Sequence, residues 1–182
     1  MALLEPQAEQ GRIDLFYGDE TAVSQPGDVP YGWPFKDEAV SIPACRGKSR
    51  SDFGLLSRDN RLRDHAFSHA VTRADVIECL DRLAADCTKP TVVVLDNASV
   101  HTSRALRACL ETWPRRNLYI DYLPPYSPHY NLIERFWKEL KEGWLRPQDD
   151  QTADELFYAV NRVFAAVGQH VNLPFSPFQL KT

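Results

Sequence analysis

The chain has 182 residues, of which 43% are hydrophobic and 25% charged, the composition of a globular chain long enough to bury a core in a single domain. No apolar run is long enough to span a bilayer, the opening Met1-Ala2-Leu3-Leu4-Glu5 has no signal-peptide pattern, and Cys45, Cys79, Cys87 and Cys109 lack C-x-x-C spacing. These features argue against a membrane span, a secretory leader and a zinc ribbon, and for reduced thiols in the cytoplasm. The formal net charge of -4 does not advertise a nucleic-acid binder, although that total hides local basic stripes and counts the acids of any metal site.

Residues 1–11 read as a loose or helical lead-in. A short strand is expected over Arg12–Tyr17, with Gly18-Asp19-Glu20 leaving its end; Asp19 shares parity with Ile13, Leu15 and Tyr17, and Glu20 points the other way. Residues 21–50 are rich in Pro, Gly and aromatics and read as an irregular excursion with one short strand near Ala39–Ala44. A hairpin follows, Asp52–Ser57 and Leu62–Ser68 around Arg58-Asp59-Asn60. Thr72-Arg73-Ala74-Asp75 resembles a capping box and opens a helix that stops before Pro90. Val92-Val93-Val94-Leu95 reads as a strand buried on both faces, ending on Asp96-Asn97. A helix near Thr102–Thr112, a strand over Leu118–Leu123 and a proline-stiffened loop lead to a helix over Asn131–Gly143 that carries Glu134 in its first turn. Thr152-Ala153-Asp154-Glu155 caps a last helix that Gly168 ends, and residues 171–182 form an irregular tail.

Residues 12–170 thus form one α/β domain. Its sheet has five strands, three antiparallel and then two parallel, with helices on both faces. This is a ribonuclease H-like order of elements, though periodicity alone leaves it one α/β option among several. Asp19, Asp96 and Glu134 each sit at the end of a rigid element, and oxygen ligands so held suit two divalent ions about 4 Å apart, the arrangement that clamps both oxygens of a phosphoryl displacement. No Walker loop, G-x-G-x-x-G or Ser/His/Asp ordering competes.

The strings D-N-A-S-V-H (96–101) and L-P-P-Y-S-P-H-Y-N-L-I-E-R-F-W-K-E-L-K (123–141) resemble the catalytic core of the DDE superfamily of transposases. Among these the chain is most similar to bacterial insertion-sequence enzymes related to mariner elements. D-L-F-Y-G-D-E-T-A-V (14–23), Gly32-Trp33-Pro34 and F-G-L-L-S-R-D-N-R-L (53–62) fit the same family, so the resemblance runs over roughly residues 12–145. It implies that Asp19, Asp96 and Glu134 are the first, second and third acids of a strand transferase using Mg²⁺ or Mn²⁺, two ions being expected. It further implies cleavage at terminal inverted repeats, attack of the freed 3′-hydroxyl on target DNA, a homodimer on paired ends and a place in the bacterial cytoplasm beside the nucleoid. Full-length relatives carry an N-terminal helix-turn-helix region, for which there is no room before Asp19; a separately encoded subunit or a truncated remnant would account for this.

Several readings stay open. Glu134 taken alone fits a capping box on Asn131 as well as catalysis; the surrounding motif favours catalysis. Asp19 competes with Glu20, Asp14 and Asp28. Asn97, His101 and Asn131 are candidate supporting residues, with a solvated helix-start cap the plain reading of His101. Arg46, Lys48, Arg50, Arg135, Lys138 and Lys141 are candidate phosphate contacts, against the plain reading of a solvated charged face. The histidines His65 and His69 have no third ligand and read as surface residues. The competing functions are another ribonuclease H-like nuclease, such as a junction resolvase or RNA–DNA hybrid nuclease, and a non-catalytic remnant serving as a dimerisation or regulatory module.

Overall fold

The computed structural model describes residues 3–25, 47–124, 127 and 130–175. Its elements run α1 (Leu4–Glu9), β1 (Asp14–Ser24), β2 (Ser49–Leu56), β3 (Leu62–Phe67), α2 (Arg73–Asp86), β4 (Thr91–Leu95), α3 (Arg104–Cys109), β5 (Leu118–Tyr122), α4 (Leu132–Glu139) and α5 (Ala153–Ala166). The sheet order is β3-β2-β1-β4-β5, with β1, β2 and β3 antiparallel and β1, β4 and β5 parallel. This is the mixed five-stranded sheet expected. The strand expected near Ala39–Ala44 lies outside the described residues.

Period-two alternation divides the core between the two faces. Phe16, Phe53, Leu55, Val93 and Leu95 pack on Val76, Leu80 and Leu83 of α2 and Leu106 of α3. On the other face Leu15, Tyr17, Val92 and Val94 meet Leu4, Ala8 and Leu132. Farther along it, Val23 and Leu56 meet Ile133, Phe136, Trp137, Val160 and Phe164. Every residue of β4 is buried, as its uninterrupted apolar run requires of a central parallel strand. The Thr72–Asp75 box is formed, with Thr72 Oγ1 accepting from Asp75 N–H and Asp75 Oδ2 accepting from Thr72 N–H.

Four boundaries differ from expectation. The first strand does not stop at Tyr17. It pairs with β2 from Tyr17↔Leu56 to Ser24↔Ser49, which places Asp19 inside the strand opposite Gly54. The α-helix of α4 ends at Glu139, and a wider π-type turn carries Leu140–Trp144. Helix α3 is only one and a half turns long, and Pro114 belongs to a separate 3-10 turn, Trp113–Arg116, rather than to its end. The start of the supposed tail has no helix or regular strand, yet it is pinned: Asn60 at the hairpin tip donates to Leu173 O (3.2 Å) and accepts from Leu173 N–H (2.8 Å). Gly168 makes the return possible. Its φ of +78° suits glycine, and a Cβ there would come within 2.7 Å of Asn60 O.

Gly54 lets α4 approach the sheet. A Cβ at this position would lie 2.7 Å from the Trp137 ring and 2.9 Å from Ile133 Cδ1, so the missing side chain seats the helix on β2. Gly54→Ala should therefore lever α4 off the sheet and lower unfolding free energy by about 1–3 kcal/mol, the usual cost of overpacking. Urea denaturation would register the loss, and an unchanged midpoint would contradict this account of the seat.

Candidate active site

Past the Tyr17↔Val94 pair, β4 turns away while β1 continues beside β2, so Asp19 and Glu20 lie beyond the last β1–β4 rung. An open cleft of about 560 Å³ forms there, lined by Asp19, Glu20 and Thr21 of β1, Ser51 of β2, Val71 of the β3–α2 loop, and Glu134, Trp137 and Lys141 of the α4 region. Asp19 shares its strand parity with Leu15 and Tyr17, facing α4, and Glu20 faces the α2 side, as parity predicts. Gly54 lies directly across from Asp19, so the gap that seats Trp137 also carries Glu134, one turn earlier, to Asp19's cleft.

Asn131 is the N-cap of α4 by position, yet its side chain makes no capping bond. It is buried and donates through Nδ2 to the carbonyl of Gly18 (3.3 Å), tying the helix start to β1 just beyond the last β1–β4 pair. The capping box that offered a plain explanation of Glu134 is therefore not formed.

Asp96 follows directly on β4. Its Oδ1 accepts from Ala98 N–H (2.9 Å) and from His101 Nδ1 (2.6 Å), so both bonds fall on one oxygen. The His101 bond is the main reason its carboxyl stays below the ordinary range, against partial burial. His101 is not a solvated cap; it is fully buried. Its Nε2 lies 3.1 Å from Glu20 Oε2, within ion-pair range but out of line for a hydrogen bond. Burial opposes its charge, yet the two carboxylates push its pKa up to about 9, so it is a cation at neutral pH. Asn97 does different work, donating to Leu123 O (2.6 Å) and joining the ends of β4 and β5.

Asp19 is strongly perturbed. Burial, then the charges of Glu20 and Asp96, raise its pKa to about 7. Asp96 therefore acts on Asp19 electrostatically although it does not line the cleft. Among the described residues no three carboxylate, imidazole or thiolate groups are drawn together at metal-ligand spacing. The donor chemistry nonetheless suits a hard cation: an acid held partly protonated by burial and neighbouring negative charge, an ionised acid with one oxygen tied back, and a glutamate across the cleft.

The basic candidates separate clearly. Arg50 is a correction: it is buried, binds Asp52 through Nε (2.9 and 3.0 Å) and Nη2 (2.7 Å), and donates from Nη1 to Asn161 Oδ1 (2.6 Å). Such a buried ion pair leaves no guanidinium edge for a phosphate. Arg135 donates to Pro174 O (2.9 Å), and Lys138 lies 3.8 Å from Glu142. Lys48 is exposed before β2, Lys141 is exposed at the cleft, and Arg46 lies outside the described residues. His69 pairs with Asp75 at the surface, in keeping with its plain reading.

Asp19 binds a proton more tightly folded than unfolded, so stability falls as pH rises from about 4 to about 7, and the full cost remains above that window. Without divalent ions, Asp19→Asn should thus be more stable than the parent at pH 8, by about 1–3 kcal/mol, and nearly equal at pH 4. Added Mn²⁺ should raise the parent's Tm but not the variant's. Paired thermal melts test both signs.

The sequence pattern of the family described as DDE superfamily endonuclease matches residues 14–156. No curated protein matches the chain. Among solved structures, the mariner Mos1 paired-end complex with Mg matches at TM-score 0.59 and 20% identity over 91% of this chain and 52% of that one. The same complex with Mn matches at 0.57 and 21% over the same shares. The catalytic core domain of BIV integrase matches at 0.55 and 14%, covering 88% of this chain and 86% of that one. The HTLV-2 integrase catalytic core in complex with magnesium, in dimeric form, matches at 0.54 and 13%, covering 87% and 88%. At these identities the likeness is one of fold, the ribonuclease H-like fold of transposase and integrase cores. The chain spans about half the length of the Mos1 chain.

Proposed function

The chain belongs to the DDE superfamily of endonucleases, and we propose that it is the catalytic domain of a DNA transposase. The observation that carries this reading is the meeting of distant acids: Asp19 from β1 and Glu134 from α4 share one cleft, and Asp96 from the end of β4 perturbs Asp19. Asp19, Asp96 and Glu134 would hold Mg²⁺ or Mn²⁺, two ions in the working site. Such ions supply charge neutralisation at the phosphate and a water that attacks phosphorus at neutral pH.

The chain's own residues provide the frame. Asp96 is fixed ionised through Oδ1, leaving Oδ2 to face a ligand. Asp19 would give up its proton on holding a cation, because burial and then neighbouring negative charge are what keep that proton in place. Trp137 and Asn131 set the position of Glu134 through β2 and β1. The reaction runs in two balanced displacements. Hydrolysis breaks a phosphodiester at the element end and leaves a 3′-hydroxyl. That hydroxyl then attacks a target phosphorus, forming one phosphodiester as another breaks.

The substrates are terminal inverted repeats and target DNA, and the assembly is a homodimer on paired ends. A separately encoded helix-turn-helix subunit would read the repeats. Lys141 and Lys48 are the phosphate contacts that remain available, with Arg135 and Lys138 set farther back. Among the described residues the acids share a region but are not drawn to metal-ligand spacing, an arrangement that also suits a non-catalytic module. A DNA carrying the element's own ends separates the two: nicking and joining that require Mg²⁺ or Mn²⁺ and are abolished by Asp96→Ala identify the enzyme. A folded chain that neither nicks nor joins, even with a partner subunit present, identifies the module. Lys141→Ala should leave Tm unchanged, weaken DNA binding across sequences and reduce the salt slope by about 1, as read by fluorescence anisotropy.

A further inference from the structure

The ends of β1 and β4 are joined beyond their last backbone pair by a side-chain strap. His101 stands between them, fully buried, with Nδ1 2.6 Å from Asp96 Oδ1 and Nε2 3.1 Å from Glu20 Oε2. Its backbone is held as well: its N–H donates to Ala98 O (3.0 Å), and its carbonyl accepts from Tyr122 OH (2.8 Å). Phe53, the cross-strand partner of Glu20, closes over the ring at 6.1 Å between centroids. An imidazole hydrogen-bonded at Nδ1, ion-paired at Nε2 and crossed by a phenyl ring tilted 57° to it is held in one orientation. That orientation engages Asp96 Oδ1, so Oδ2 is the oxygen left for a ligand.

We propose that Glu20 and His101 are positioning residues for Asp96, Glu20 holding the imidazole and the imidazole aiming the carboxylate at a divalent cation. The proposal rests on the reading of Asp96 as a metal ligand. It gives Glu20, which faces away from Asp19, a role through the second acid rather than the first. Carboxylate–histidine pairs behind metal ligands commonly act in this way, and their loss weakens metal binding without removing a ligand.

Two replacements of His101 keep different bonds, and the smaller one keeps the bond that matters. In His101→Asn the carboxamide nitrogen takes the place of Nδ1 and keeps the donor to Asp96, whereas in His101→Gln it takes the place of Nε2 and reaches Glu20 only. Binding of Mn²⁺ to the DNA-free chain, by electron paramagnetic resonance and calorimetry, is the readout, with Tm measured alongside. His101→Gln should weaken Mn²⁺ binding about 10- to 100-fold, whereas His101→Asn, which keeps the bond to Asp96 and loses only the hold of Glu20, should weaken it no more than Glu20→Gln does. Glu20→Gln should weaken binding in the parent background and add little in the His101→Asn background, where the strap is already cut. Equal losses in the two His101 variants would overturn the proposal, since the ring would then be filling space only. So would equal losses from Glu20→Gln in both backgrounds, because Glu20 would then act on the ion directly. If both ring replacements unfold, unchanged Mn²⁺ affinity in Glu20→Gln overturns it alone. A parent chain that binds no Mn²⁺, or binds it equally after Asp96→Ala, would remove the metal-site reading itself.

Discussion

The site depends on one geometric mismatch: β1 outlasts β4. Parallel pairing stops at Tyr17↔Val94, but β1 runs on to Ser24 against β2. A strand edge released in this way is normally a liability, because its backbone groups have no neighbouring strand. Here Asn131 takes the Gly18 carbonyl, α4 settles over the opposite face, and the remaining flank opens as the cleft. The carboxyl end of β4 lies beside it, the position at which α/β sheets place their chemistry.

That arrangement concentrates negative charge where water is partly excluded. Asp19 responds by holding its proton, Asp96 by leaning on His101, and His101 by remaining charged despite burial. The site is thus stabilised unevenly, one acid satisfied and one strained. Such a division is costly for folding and useful for capturing a cation, since binding relieves the repulsion that burial intensifies. The trade also explains why a substitution that disables Asp19 is expected to strengthen the fold.

The second constraint is the close approach of α4. Gly54 removes a side chain directly opposite Asp19, and Trp137 occupies the space. One missing Cβ therefore governs both packing and the arrival of Glu134. Farther along the same face of β2, Arg50 and Asp52 form an internal pair that reaches α5 through Asn161. Positive charge at that point serves the interior, and the surface available to a phosphate backbone shifts toward Lys141 and the cleft rim.

Local pattern alone determined the order of elements, the all-buried strand before Asp96, the capped start of α2 and the opposite facing of Asp19 and Glu20. Each follows from the spacing of neighbouring side chains, which strands and helices repeat at fixed periods. The three acids were legible as candidates, Asp96 and Glu134 through strings that resemble the DDE family and Asp19 at the end of an apolar run, and the fold brings Asp19 and Glu134 to one cleft. Tertiary structure decided the rest. Whether β1 ended at Tyr17 depended on β2, which lies across an intervening segment of the chain. Arg50 reads as a free cation until Asp52 and α5 enclose it, and His101 reads as a cap until Glu20 arrives from the first strand. The physical reason is common to all three: burial and charge pairing are properties of what packs around a residue, and those partners come from parts of the chain that sequence neighbours do not specify.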